Sequence, residues 1–378
     1  MRFRILFLLP ILAAGFCAGV FGQIGEPPKI EIPPKIETDE VVKIETRLVE
    51  VPIVVTDKSG KPLLNLKKND FVVYENGQKQ EITEFSTTAE PFEVALLLDT
   101  SGSTRNDLRL IRRAALNFIR SLRTGDRVSI IAFNAKKMDG QTVAVSEIIT
   151  PLTEDRAKLE AALEAVSVSN GTPYYDGMLE VLDEVFREKP TENFRGRRAV
   201  VALTDGVDSS SLAEFDEVRK ALGRTGAAAY FVKVNTREFF EELLLGDCMI
   251  SVRFSAAQMR RYYRQFDRKS RIEQVFDFCK LGDFERLAIS KRLYELADSE
   301  MNDLAKLSGG KVFPAASLSD TRMAFDEVAA ELGTRYSLGY YSTNQNHDGT
   351  YRKIKVELKS GPKNAEIRAR EGYTAPNN

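Results

Sequence analysis

Short, unbroken apolar runs that alternate with stretches of helical periodicity constrain this chain more than any other feature. Val94-Ala95-Leu96-Leu97-Leu98, Val128 to Phe133, Val143 to Ile149 and Ala199-Val200-Val201-Ala202-Leu203 each read as a buried strand, and Ala228 to Val234 as a further strand. A strand with no polar alternate residue fits a sheet covered on both faces. Between the runs, Leu108, Ile111, Ala115, Phe118, Ile119 and Leu122 recur at helical spacing. Leu159 to Val166, Tyr174 to Phe186 and Ala213 to Leu222 read as helices too. The alternation predicts an α/β domain over residues 92–332 with a mostly parallel sheet between two helical layers.

Residues 237–300 interrupt that rhythm. They are helical in pattern and rich in Arg, Tyr and Phe, with a basic stretch from Arg260 to Arg271 that acidic residues elsewhere offset. The alternation resumes at Met301 to Leu307, with a strand at Lys311 to Phe313 and a helix at Asp320 to Leu332. On either side lie short β segments. Residues 44–88 hold strands around Leu48 to Val55, Phe71 to Tyr74 and Ile82 to Phe85, with an Asn76-Gly77 hairpin signal. Residues 335–372 hold Tyr336 to Tyr341, Tyr351 to Leu358 and Ala365 to Arg370. Each set alone would expose an apolar face and has too few strands to stand by itself, so the two are expected to join in one small β domain.

The first 22 residues read as an export signal, with Arg2 and Arg4 ahead of an apolar stretch from Ile5 to Val20. Residues 23–43 repeat Pro-Pro-Lys-Ile-Glu at Pro27 and Pro33, the pattern of an extended linker. The expectation is an exported protein, periplasmic or secreted, with no later run of about 18 apolar residues to cross a membrane. Two cysteines follow the signal, Cys248 and Cys279, and in an exported chain such a pair suggests a disulfide against the alternative of two buried thiols.

Several chemistries are excluded early. The net charge of -1 gives no field for nucleic acid or anionic lipid. Histidine occurs once, His347, in a turn-like segment, which leaves no room for a Ser-His-Asp triad or a multi-histidine zinc site. Neither a phosphate-binding Walker loop nor a G-x-S-x-G elbow is present.

What remains is a set of hard oxygen donors. Asp99-Thr100-Ser101-Gly102-Ser103 ends the first apolar strand, Thr204-Asp205-Gly206 ends another, and Thr172 stands in Asn170-Gly171-Thr172-Pro173 before a helix. Ligands of open α/β sheets bind at the carboxyl ends of the strands. Asp99, Ser101, Ser103, Thr172 and Asp205 together suit Mg2+, with Mn2+ or Ca2+ as variants, and not a soft metal. Singly, Ser and Asp are helix caps, Thr172-Pro173 is an ordinary helix start and Asp205-Gly206 an ordinary turn. Their order and placement together are what a cap-and-turn reading does not explain.

Asp99-x-Ser101-x-Ser103, then Gly171-Thr172, then Thr204-Asp205-Gly206 resembles the metal-ion-dependent adhesion site of von Willebrand factor A domains. The resemblance covers about residues 92–332. The flanks VPIVVTDKSGKPLLNLKKNDFVVYENG and YSLGYYS…GTYRKIKVELK…IRAREGY are similar to those of secreted bacterial members of the acidobacterial type. It implies a Rossmann-like doubly wound domain. It implies direct metal ligation by Ser101 and Ser103, with Asp99, Thr172 and Asp205 acting directly or through water. It implies a protein partner whose carboxylate takes the open position. Because the chain lacks a Walker loop and a G-x-S-x-G elbow, no catalysis is expected. Residues 237–300 depart from the family pattern. Because they leave a strand at its carboxyl end, they are expected on the metal face. There Arg260, Arg261 and Arg264 would steer an acidic partner, or Glu241 or Glu242 would fill the open position. Two alternatives stand beside this reading. One is a structural envelope protein with an inert site. The other is a Mg2+-dependent phosphoryl-transfer enzyme, which would want a second Asp where Ser101 stands.

Overall fold

A computed structural model describes residues 48–86, 91–101, 108–191, 194, 197–266, 277–317, 320–359 and 365–377. The chain divides into two units, Met1–Glu45 and Thr46–Asn378. The expected signal and linker lie outside the described residues, as does Ser103.

Strands β1 (Leu48–Thr56), β2 (Phe71–Glu75), β3 (Gln78–Gln80) and β4 (Ile82–Ser86) come first. Asn76 and Gly77 turn β2 into β3 with φ of 48° and 83°, the left-handed pair a two-residue hairpin needs. Next come β5 (Glu93–Leu98), α1 (Leu108–Ser121), β6 (Arg127–Met138), β7 (Gln141–Thr153), α2 (Arg156–Ala165) and α3 (Tyr174–Glu180). They are followed by β8 (Arg198–Thr204), α4 (Phe215–Thr225) and β9 (Ala228–Val234). Helices α5 (Arg237–Leu244), α6 (Ala256–Phe266) and α7 (Asp283–Ser308) lead to β10 (Lys311–Ala315) and α8 (Thr321–Gly333). The chain closes with β11 (Tyr336–Tyr341), β12 (Tyr351–Leu358), β13 (Glu366–Ala369) and β14 (Gly372–Thr374).

The central sheet runs β10-β9-β8-β5-β6-β7. All neighbours are parallel except β7, which returns antiparallel from β6. Every residue of β5 and β8 is buried, as their apolar runs require. Alternate residues point to opposite faces. Val94, Leu96 and Leu98 therefore join one core with α1, α2 and α8, while Ala95 and Leu97 join a second with α3, α4 and α7. The run Val143 to Ile149, expected as a buried strand, instead belongs to a half-buried edge strand. Asp139-Gly140, with φ of 50° and 80°, makes β6 and β7 one long hairpin, and an edge strand has no neighbour on its outer side.

The terminal segments do combine. β1 lies between β11 and β13, and β2 pairs with β12, so two four-stranded sheets, β13-β1-β11-β4 and β14-β12-β2-β3, enclose a shared core that includes Val51, Phe71, Leu338 and Ile354. Buried arginines tie this part to the α/β sheet and its helices. Arg370 Nη2 donates to the Gly223 carbonyl at 2.6 Å, and Arg197 Nη1 to that of Arg335 at 2.9 Å. Helix α7 runs unbroken past the expected end of the insertion at residue 300, so one rod serves both the insertion and the cover of the sheet.

Candidate metal centre

The chain leaves β5 toward β6 on one side and returns to β8 on the other, so the carboxyl ends of β5 and β8 flank the topological switch point. Asp99 and Asp205 are the residues that follow those two strands. The Asp99 amide donates to the Leu203 carbonyl at 2.9 Å. Asp99 Oδ1 accepts from the Ser101 amide at 3.0 Å, and Oδ2 from Thr204 Oγ1 at 2.8 Å. Asp205 Oδ1 accepts from the Val207 amide at 2.8 Å, and Oδ2 from the hydroxyl of Thr236 just beyond β9. Gly206 turns the chain here with φ of 75°, and a Cβ on it would come within 2.9 Å of Met301 in α7.

The loop carrying Thr172 is clipped to both others. The Thr172 amide donates to Ser209 Oγ at 2.8 Å, the Ser209 amide returns a bond to the Thr172 carbonyl at 3.0 Å, and the Ser169 amide donates to the Thr100 carbonyl at 2.8 Å. Ser101, Thr172 and Asp205 border one cavity of about 420 Å³. Four of the five expected residues are thus described, all buried, on three mutually bonded loops.

Burial pushes the carboxyl of Asp99 above its ordinary range. Burial, and then the neighbouring Asp99 charge, raises that of Asp205 to about 7. Two buried carboxylates that repel each other are a strained arrangement without a counter-charge. Among the described residues the nearby arginine pairs with neither, since Arg261 Nη2 lies 3.4 Å from Oδ1 of Asp208. The donor set fits a hard divalent cation: two carboxylates and the hydroxyls of Ser101 and Thr172. Among the described residues no three His, Cys, Asp or Glu side chains converge, so an ion here would lean on hydroxyls as well as carboxylates.

The insertion stands on this face. Its own small core, built around Leu244, Phe254, Phe278 and Leu293, takes in Val207 from the loop after β8. Its side chains Phe239, Phe240, Leu243, Val252 and Arg253 form the far wall of the cavity. A disulfide joins Cys248 to Cys279, with Cα atoms 5.2 Å apart. The charged residues do not act as expected. Glu241 is paired with Arg237 at 2.7 Å, and neither it nor Glu242 borders the cavity. Arg261 is spent on Asp208 and Arg264 on Glu214, so these two cations are paired within the fold.

Several supporting residues carried no signal that set them apart in the sequence. Asp208 gathers the Ser210, Ser211 and Tyr175 amides as well as Arg261, and so fixes the loop after β8. Its Asp-x-x-Ser spacing is a cap pattern that could have pointed to it. Thr236 and Tyr294 reach the site from other elements, and only the tertiary fold brings them there.

A doubly wound sheet with acidic loops at its switch point defines a ligand-binding α/β module. Residues 94–207 match the family described as von Willebrand factor type A domain. Domains of this family commonly bind a divalent metal and mediate protein–protein interactions, and they are generally non-enzymatic. Similar solved structures include the conserved hypothetical protein BatB from Bacteroides thetaiotaomicron, at 17% identity and TM-score 0.37 over 64% of this chain and 98% of that one. Another is the von Willebrand factor type A protein from Catenulispora acidiphila, at 11% identity and TM-score 0.40 over 88% and 74%. A third is proximal thread matrix protein 1 from the mussel byssus, at 14% identity and TM-score 0.40 over 72% of this chain and 49% of that one. Among curated proteins none matches. No helix of the described residues is long and apolar enough to cross a membrane.

Proposed function

We propose that this is an exported interaction protein that grips a protein partner through a divalent ion, Mg2+ in the first instance, held by Asp99, Ser101, Ser103, Thr172 and Asp205. Bound there, the ion supplies a Lewis-acidic position for a carboxylate of the partner. The chain's own groups do the rest. Thr204 and the Ser101 amide orient Asp99, Thr236 and the Val207 amide orient Asp205, and the clipped loops hold Thr172 at the cavity edge. The observation that carries this reading is the buried carboxylate of Asp205 at a cavity edge beside the hydroxyl residues Ser101 and Thr172, with a second buried carboxylate, Asp99, close enough to repel it.

The test compares thermal melts in Mg2+ and in EDTA for the mature protein and for Asp99→Asn. A ligand that binds only the folded state at a hundred times its Kd stabilises by about 2.7 kcal/mol. The wild type should gain Tm with Mg2+. Asp99→Asn should lose that gain while melting no lower than the wild type in EDTA, because it removes a buried repulsive charge. Equal gains in both proteins would place metal binding elsewhere and reject this site.

A further inference from the structure

The cavity has two chemically different ends. One end is the oxygen-lined loop edge of Ser101, Thr172 and Asp205. The other is apolar and belongs to the insertion: Phe239, Leu243 and Val252 line it while remaining 46%, 41% and 39% exposed. That wall is built rather than loose. Leu244, next to Leu243, is wholly buried, and Phe240 packs against Phe254 and Tyr294 at centroid distances of 6.0 and 6.3 Å. Arg253, on the rim, donates to the Cys248 carbonyl at 3.0 Å, and the disulfide fixes Cys248 to Cys279. Contiguous apolar side chains left in water beside a polar site mark a binding surface.

We infer that the cavity receives a short peptide segment of a protein partner in which an acidic side chain stands beside a large apolar one. The acidic group goes to the loop end and the apolar side chain to the Phe239–Leu243–Val252 wall. This rests on the metal-binding reading above and adds the second recognition element. Charge complementarity favours an acidic ligand, since the guanidinium of Arg253 borders the same cavity as the cation site. A cavity of about 420 Å³ is large enough for two side chains and too large for a carboxylate alone. Contact with the apolar wall is what would separate one acidic peptide from another.

The experiment is selection from a random peptide library displayed on phage, bound to the full mature protein in Mg2+ and eluted with EDTA. Enriched peptides should carry Asp or Glu within two positions of Phe, Leu, Ile or Met. Synthetic versions with that apolar residue changed to Gly should bind roughly ten- to a hundredfold more weakly. The double variant Phe239→Ser, Val252→Ser alters only part-exposed side chains. It should lose the apolar preference and keep the Mg2+-dependent rise in Tm. Enrichment of acidic residues with no apolar neighbour would overturn the inference and leave the metal reading standing. So would a Mg2+ stabilisation with no EDTA-eluted peptide, or a Mg2+-dependent dimer abolished by the double variant, which would make a second copy of this chain the occupant. Absence of any Mg2+ stabilisation would remove the reading beneath it and the inference together.

Discussion

The hydroxyl of Tyr294, on the long helix that leaves the insertion, lies 2.9 Å from Oγ1 of Thr236. Thr236 in turn donates to Asp205, so the insertion helps to hold one of the two carboxylates of the candidate centre. Groups that orient metal ligands commonly change affinity ten- to a hundredfold when lost. Thr236→Val should therefore weaken Mg2+ or Mn2+ binding by about tenfold or more, and Tyr294→Phe by less, because its bond reaches Asp205 only through Thr236. Calorimetric titration of the metal would check the order. Unchanged affinity in Thr236→Val would show that Asp205 needs no such support.

Removal of residues 335–378 should strip β1 of both neighbours, β11 and β13, and β2 of β12. The backbone donors and acceptors of the N-terminal strands would then face water along with Val51 and Phe71. Limited proteolysis should cut the truncated protein between residues 48 and 86 under conditions that spare the full chain. Continued protection there would mean the N-terminal strands are stable alone.

Glu300 offers a pH signature away from the ligand set. Its burial pushes the carboxyl up to about 7, partly offset by the hydroxyl of Tyr175 that donates to it and by Arg261. The folded protein therefore keeps this proton where the unfolded chain has released it. Stability from this group is fully present below the ordinary carboxylate range and is lost as pH rises through about 7. Melts of the metal-free protein should show Tm falling from about pH 5 to about pH 8, with Glu300→Gln flattening part of the fall. A variant with the wild-type slope would show that Glu300 does not titrate in that window.

Reduction of the Cys248–Cys279 bridge should act locally first. The bond closes a separation of 31 residues, for which chain entropy alone gives about 3–4 kcal/mol. The apolar core of the insertion is far smaller than those on the two faces of the sheet. Cys248→Ser with Cys279→Ser should thus expose residues 245–266 and 277–282 to protease well before the sheet opens, and should loosen the Val252–Arg253 wall. Hydrogen exchange that left these segments as protected as in the wild type would count against that role.

Much of this architecture is legible in the residues themselves. β5 and β8 have no polar alternate and are buried on both faces, and the paired terminal strands follow from each set's lack of partners. Asp99 and Asp205 could be placed because a strand's carboxyl end is readable where its apolar run stops. Other features were not readable. The half-buried state of β7 depends on its being at the edge, and its apolar residues do not report that. Glu241 and Arg261 look in the sequence like free charges, yet each meets its partner, Arg237 or Asp208, only through a helix turn or a tertiary approach. The bond from Thr236 to Asp205 joins residues 31 apart on the ends of neighbouring strands, which no local pattern encodes.

Helix α7 has 26 residues without a break, roughly 39 Å at 1.5 Å per residue. Its C-terminal half lies in the sheet's own core through Met301, Leu304 and Ala305, and its N-terminal half in the insertion's core through Ile289 and Leu293. An uninterrupted helix contains no joint, because kinks arise at proline, glycine pairs or bulges. The side of the cavity backed by this helix is therefore its fixed jaw. Another part of the cavity's lining, Val252, Arg253 and Ser255, lies in the loop from Leu245 to Ser255, which is neither helix nor strand and is held instead by the bond from the Val252 amide to the Leu243 carbonyl at 2.8 Å, by Arg286 on the Gly246 carbonyl at 3.0 Å and by the sulfur bridge.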